Sequence, residues 1–176
     1  MKKVLLHICC GVCTAGVVEK LRQDGYEVIG FFYNPNIFPV EEYNHRLEVV
    51  REASRLLNFE LIEGSHGHDL WLEQVKGLED EQEGGRRCPV CFQVRLRATM
   101  DKARELGILH IASTLSVSPH KNVMEINKVG SMLSAEFLAY DFKKEDGFKK
   151  TMAFAKTHDF YRQDYCGCEF SVKETR

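Results

Sequence analysis

The chain has 176 residues, a formal net charge of −2, 44% hydrophobic residues and 28% charged residues. This length is enough for one domain with a substantial core, and the composition is ordinary for a soluble globular protein. The charge excludes a global attraction to polyanions, so a nucleic-acid partner needs a local basic patch, and no apolar run approaches the roughly 18 residues of a bilayer span.

In chain order, VLLHI (residues 4–8) reads as a short buried strand. With two lysines before it and cysteines after it, it superficially suggests the leader of a secreted lipoprotein. The run is shorter than the roughly 7–15 residues of a signal core, and His7 interrupts it. The expectation is a cytoplasmic protein, neither exported nor membrane-bound. A helix over residues 14–24 leads to the strand YEVIGFFY (26–33) and the loop NPNIFP. The next helix, 40–57, carries Val40, Tyr43, Leu47, Val50 and Leu57 on one stripe, with Glu41, Glu42, Glu48, Arg51 and Glu52 largely off it. FELIEG (59–64) is a third strand, and a short helix over 70–78 holds the only tryptophan, Trp71. After the polar loop EDEQEGGRR, a long helix over 88–106 stops at Gly107. ILHIAST (108–114) is a fourth strand, followed by the loop LSVSPHKN, a helix over 123–136, the strand FLAYDF (137–142), a helix over 148–158 and the tail YRQDYCGCEFSVKETR.

There is no repeat, low-complexity segment or interdomain linker, so residues 1–176 read as one domain. Strands alternating with helices imply right-handed crossovers and a parallel sheet covered on both faces. The expected fold is a doubly wound, open α/β domain with a mainly parallel sheet of about five strands. The tail is too polar and too cysteine-dense for a core element and is free to fold over the sheet edge.

Seven cysteines fall in three groups: Cys9, Cys10 and Cys13; Cys88 and Cys91; Cys166 and Cys168. An odd number in a chain not expected to be exported argues against a disulfide framework. Isolated buried cysteines pack like small hydrophobes, which explains scattered residues but not three clusters. In an open parallel sheet, ligands bind outside the carboxyl ends of the strands. The first group directly follows strand one, the second opens a crossover helix at i and i+3, and the third lies in the tail, so all seven can converge on one edge. Helix N-termini lower thiol pKa values, and thiolates bind metal. Structural zinc takes four ligands in a closed site and a [4Fe–4S] cluster takes up to four thiolates. Seven candidates exceed either demand. The surplus can hold a second metal, leave a cluster iron open, or serve as redox-active thiols.

HICCGVC, CPVCFQVRL, TLSVSPHKN and YRQDYCGCEFS, in that order and with YNPNI and GLEDEQEGGRRC between them, resemble the QueH-type epoxyqueuosine reductases over nearly the whole chain. Val12 stands where that family often has proline, which leaves every thiol in place. The resemblance implies an adenine-nucleotide hydrolase-like α/β fold and a reductase acting at the last step of queuosine synthesis. The enzyme would remove the epoxide oxygen from epoxyqueuosine in the tRNA anticodon without cobalamin. It further implies a [4Fe–4S] cluster with an adjacent mononuclear iron, held by cysteines and an acidic residue. An electron donor of unknown identity is required, and no obligate protein partner is implied.

The expelled oxygen needs protons. Asp141, at the carboxyl end of the fifth expected strand, is the first candidate for proton donor or acidic metal ligand, and Asp164 is the second. The cysteines are not divided between the two metals. Tyr33 and Asn34 end the second strand and can line a substrate pocket, as can Ser116, Ser118, His120, Lys121 and Asn122 in the loop after the fourth, although that loop also reads as a helix cap. His7 is expected to be a core histidine with satisfied ring nitrogens rather than a ligand. For tRNA phosphates the candidates are Arg86, Arg87, Lys143, Lys144, Lys149, Lys150 and Arg162, with Lys156 in the same basic quarter. The target base must turn outward to reach buried metal. Competing readings are a zinc-binding RNA module without redox catalysis, an ATP-using tRNA thiolation enzyme and a thiol–disulfide oxidoreductase. HICCGVCT offers one glycine and no serine, a poor cradle for phosphate, which counts against the second.

Overall fold

A computed structural model describes residues 1–171. The strands are β1 (Lys2–His7), β2 (Tyr26–Phe32), β3 (Glu60–Glu63) and β4 (His110–Ser113), and the helices are α1 (Ala15–Gln23), α2 (Val40–Leu57), α3 (His68–Gln74), α4 (Arg87–Glu105), α5 (Val123–Leu133) and α6 (Gly147–Thr157). The four strands form one parallel sheet in the order β3-β2-β1-β4. β1 is central, with Leu5 opposite Ile29 on one side and Ile111 on the other. A strand buried on both faces must be apolar throughout, and Val4, Leu5 and Leu6 are fully buried.

Side chains alternate across a strand, so β1 feeds two cores. Val4, Leu6 and Ile8 pack with Val17, Leu21 and Val50 from α1 and α2. Leu5 packs with Leu96, Met100 and Ala103 from α4. α2 has the bounds read from the sequence. Its buried face differs in detail: Tyr43, Leu47 and Val50 are inside, Val40 is exposed, and the charged Arg46 is only 3% exposed. Among the described residues, no helix is long and apolar enough to cross a membrane.

The fifth expected strand is reduced to one bridge. Phe137 pairs with Ile111, and the Leu138 N–H donates to the Ile111 carbonyl at 2.8 Å. The Tyr140 N–H then donates to the Leu138 carbonyl, which turns the chain away from the sheet. The Tyr140 hydroxyl is held by Asp24 after α1, and its ring stacks on Phe142. β2 and β4 leave β1 on opposite sides, so the topological switch point lies between β1 and β4. Ligands of doubly wound sheets bind at that crevice.

Candidate metal centre

Cys9 and Cys10 emerge from β1 at the switch point, and Gly11–Cys13 form a 3₁₀ turn. This turn lies hard against α2: a Cβ on Gly11 would stand 2.6 Å from the Val49 carbonyl oxygen, an approach only glycine permits. Thr114, just after β4, clamps the loop across the crevice. The Cys9 N–H donates to Thr114 Oγ1 at 3.0 Å, and the Thr114 hydroxyl donates to Cys9 Sγ at 3.3 Å. Cys10 and Cys13 sulfurs are 2.9 Å apart, Cys9 and Cys10 sulfurs 3.8 Å, and all three lie within 4.8 Å of one another. Thiol donors from Cys10 and Cys13 hold the Cys9 thiol well below its ordinary pKa, with help from Thr114 and against burial. Those same sulfur contacts, Cys10 first, push Cys13 well above it, and burial adds to the effect. The triad therefore carries one negative charge readily and resists a second. A metal cation replaces such protons, so three free, clustered thiols can bind one.

His7 is the core histidine expected. Its Nδ1 meets Ser113 Oγ at 2.9 Å and its Nε2 meets the Tyr33 carbonyl at 3.1 Å. Burial, then the nearby Arg95 charge, lowers its pKa to about 4. The neutral ring thus donates from Nε2 to Tyr33 and accepts at Nδ1.

Cys88 and Cys91 occupy the first turn of α4 on one face. The Gly84 N–H donates to Cys88 Sγ at 3.2 Å, but burial outweighs it and raises the Cys88 pKa. The tail crosses above. Cys168 bridges Ile37 in antiparallel fashion, and the Phe38 N–H donates to the Gly167 carbonyl at 2.9 Å. Gly167 has φ +101°, and a Cβ there would press on Ile37 and Arg46. Arg46 fastens the tail from α2, donating to the Cys166 carbonyl at 3.2 Å and the Tyr165 carbonyl at 3.1 Å while its Nε binds Glu42 at 2.6 Å. Cys166 is held well below its ordinary pKa by the Cys168 thiol, with Lys121 and Ser171 assisting against burial. The reciprocal contact with Cys166, together with burial, raises Cys168.

Two adjoining cavities are lined by six of the seven thiols, all but the buried Cys10. One, of about 410 Å³, is lined by Cys9, Cys13 and Cys166, with Ser118, His120, Lys121 and Asp164 around them. The other, of about 20 Å³, is lined by Cys88, Cys91, Cys166 and Cys168. Cys166 and Lys121 belong to both walls. The second cavity also has Trp71 and Asn36 in its wall, and Trp71 Nε1 and Asn36 Oδ1 are buried without a hydrogen-bond partner among the described residues. Orphaned polar atoms beside four sulfur donors fit a wall built around a bound polar group, and soft thiolates suit iron–sulfur centres or zinc. The residues present therefore fit a metal centre.

Several sequence candidates lie elsewhere. Asp141 lines a different cavity, of about 520 Å³, and its carboxylate faces the Lys143 N–H and ammonium. The reason is the lost fifth strand, which turns away before reaching the crevice. Asn34 is fully buried, donating to the Ile8 carbonyl at 2.8 Å and accepting from Arg95. Tyr33 stacks on Phe31 over the sheet, Ser116 is buried with its hydroxyl on the Ser113 carbonyl, and Asn122 caps α5. Arg87 is 1% exposed, donates to the Leu78, Glu79 and Glu81 carbonyls and lies over Phe170, so it is structural rather than a phosphate contact. Arg86 is exposed and paired with Glu81. Arg162 lines a small cavity beside Cys13, with Ser118 and His120. Lys143 reaches the Ser116 carbonyl, Lys150 pairs with Glu19, and Lys144 and Lys149 are exposed.

Two arginines escape a reading by charge runs. Arg46 and Arg95 are each 3% exposed, and both line the larger cavity. The available signal was position: Arg46 follows Tyr43 by three residues on the buried stripe of α2, and Arg95 follows Cys91 by four on α4.

The sequence matches the family described as Epoxyqueuosine reductase QueH over residues 4–174. It is 38% identical over 180 residues to a protein named Epoxyqueuosine reductase QueH from Streptococcus pyogenes serotype M1, covering 97% of this chain and 70% of that one. Proteins of the same name from Acinetobacter baylyi and Thermotoga maritima are 36% and 32% identical, covering 98% and 100% of this chain and 82% and 93% of theirs. A crystal structure of the predicted subunit of a tRNA methyltransferase from Methanocaldococcus jannaschii superposes with a TM-score of 0.59 at 14% identity, covering 89% of this chain and 75% of that one. That likeness concerns the fold alone. The full-length match to the family and to its named members places this chain in the epoxyqueuosine reductase QueH family, a family of oxidoreductases.

Proposed function

We propose that this chain reduces epoxyqueuosine in the tRNA anticodon to queuosine at the crevice where its two thiol groups meet. The observation that carries this is the sharing of Cys166 between the wall that holds Cys9 and Cys13 and the wall that holds Cys88, Cys91 and Cys168. The overall change converts an epoxide into an alkene: two electrons and two protons enter, and the oxygen leaves as water. The four-thiol group is suited to a [4Fe–4S] cluster and the Cys9, Cys10 and Cys13 triad to an adjacent iron. Such groups supply electrons singly and a Lewis acid for oxygen.

The protein's own residues do the rest. Asp164, rather than Asp141, supplies a proton or an oxygen ligand, because it borders the thiol-lined cavity. Lys121 and His120 in that wall, with Ser118, orient the polar modified base. Arg162 and Arg86 meet phosphates, and Lys143, Lys144, Lys149 and Lys150 extend the basic surface. A tRNA substrate and free thiols both suit a cytoplasmic protein.

The deciding experiment is anaerobic purification with a visible spectrum and counts of iron, zinc and sulfide per chain, followed by reduction of epoxyqueuosine-tRNA. A brown protein with about four sulfides, more than four irons and turnover supports the proposal. A colourless, zinc-loaded protein without turnover refutes it in favour of a binding module.

A further inference from the structure

We infer that the Trp71 indole N–H donates a hydrogen bond to a sulfur of the metal centre held by Cys88, Cys91, Cys166 and Cys168, and thereby raises its reduction potential. The inference rests on the proposed function and adds to it a residue that touches no substrate. Trp71 is fully buried, and its Nε1 has no partner among the described residues. An indole nitrogen is a donor only and cannot ligate metal in its place. The wall in which Trp71 stands offers it sulfur, because four of the seven cysteines share that wall.

Two rings pack against the indole. His68 stacks on the ring with centroids 5.6 Å apart, and Phe170 stacks with centroids 6.0 Å apart. His68 is itself tied to the Pro35 carbonyl at 2.7 Å and to Glu169 at 3.2 Å. A buried donor left without a partner among the described residues is unusual, since buried donors are nearly always satisfied. A proton aimed at sulfur stabilises the more negative, reduced state of an iron–sulfur centre, so the centre becomes easier to reduce. Asn36, in the same wall, carries another atom with no partner among the described residues. The free space of about 20 Å³ also admits one water, which is the rival acceptor.

The chain has one tryptophan, so ¹⁵N-indole labelling gives a single signal. In full-length protein loaded anaerobically with iron and sulfide, the expected result is a contact hyperfine shift at that nitrogen and slow exchange of its proton. Trp71→Phe, with iron and sulfide per chain unchanged, should have a lower midpoint potential in a redox titration. A loaded wild-type protein whose indole nitrogen lacks the contact shift overturns the inference, whatever becomes of the variant. So does a fully loaded Trp71→Phe protein with an unchanged potential. These failures leave the proposed function standing, whereas a wild-type chain that takes up no iron and sulfide overturns both.

Discussion

Replacing Arg46 with methionine keeps the aliphatic stem and removes the fork that fastens the tail. The native guanidinium donates to the carbonyls of Tyr165 and Cys166 and to Glu42, all inside a 3% exposed side chain. Hydrogen bonds to a charged group contribute roughly 1.5–3 kcal/mol each. Water reaching the freed carbonyls offsets part of that, and Glu42 keeps its bond from the Tyr161 hydroxyl at 2.8 Å. The net loss in tail docking is therefore about 3 kcal/mol, which corresponds to about a hundredfold in the docked-to-undocked ratio. The Phe38 amide reports it directly, because its N–H is bonded to the Gly167 carbonyl. Its hydrogen exchange should accelerate about a hundredfold, and iron per chain should fall because Cys166 and Cys168 are no longer held. Arg46→Lys should be intermediate, since one ammonium cannot span three acceptors. Native exchange at Phe38 together with undiminished iron in Arg46→Met would refute this account of how the tail is held.

Gly11→Ala drives a methyl group into the Val49 backbone and should cost about 3 kcal/mol, seen as a melting point lower by roughly 6–12 °C and reduced metal uptake. Thr114→Val removes the hydroxyl that donates to Cys9, so the Cys9 pKa rises. In metal-free protein the alkylation of Cys9 should then need higher pH, with Thr114→Ser close to wild type; an unshifted pH profile would sever that link. Asp164→Asn should lose about 10²-fold or more in turnover, with iron retained if the carboxylate is the proton donor and lowered if it is a ligand, whereas Asp141→Asn should stay near wild type. The opposite ranking in a single-turnover assay would restore Asp141 to the site.

Local patterns made most of the scaffold legible. An unbroken apolar β1, the period of α2 and the alternation of strands with helices are each set by nearby residues. Cysteine spacing likewise announced the three segments of the site. What the sequence concealed depends on contacts distant along the chain. FLAYDF has strand composition, but Tyr140 is drawn to Asp24 and the segment leaves the sheet after Leu138. Asp141 was misplaced with it. Arg86 and Arg87 read as one basic pair, yet the register of α4 turns one outward and buries the other against Phe170. Tyr33 could have been placed by strand alternation, since it shares its face with Phe31 rather than pointing at the edge. Asn122 obeyed the plain rule for a helix cap.

The division of the thiols has a thermodynamic consequence. Cys9, Cys10 and Cys13 sit on a loop fixed by β1, α2 and Thr114, so that triad exists before any metal arrives. The other group joins the start of α4 to a tail held by scattered contacts, among them Arg46, a backbone bridge, the Tyr165 hydroxyl on the Phe38 carbonyl and the His68–Glu169 contact. A metal bridging Cys88 or Cys91 to Cys166 or Cys168 binds only the docked tail. By linkage it stabilises docking by the free energy of its binding. Removing metal with a chelator under argon should therefore speed exchange at Phe38 and leave Leu5, at the centre of the sheet, unchanged. Equal acceleration at both amides would mean that the metal holds the whole fold, and the site would then be a structural one rather than a tail-gated centre.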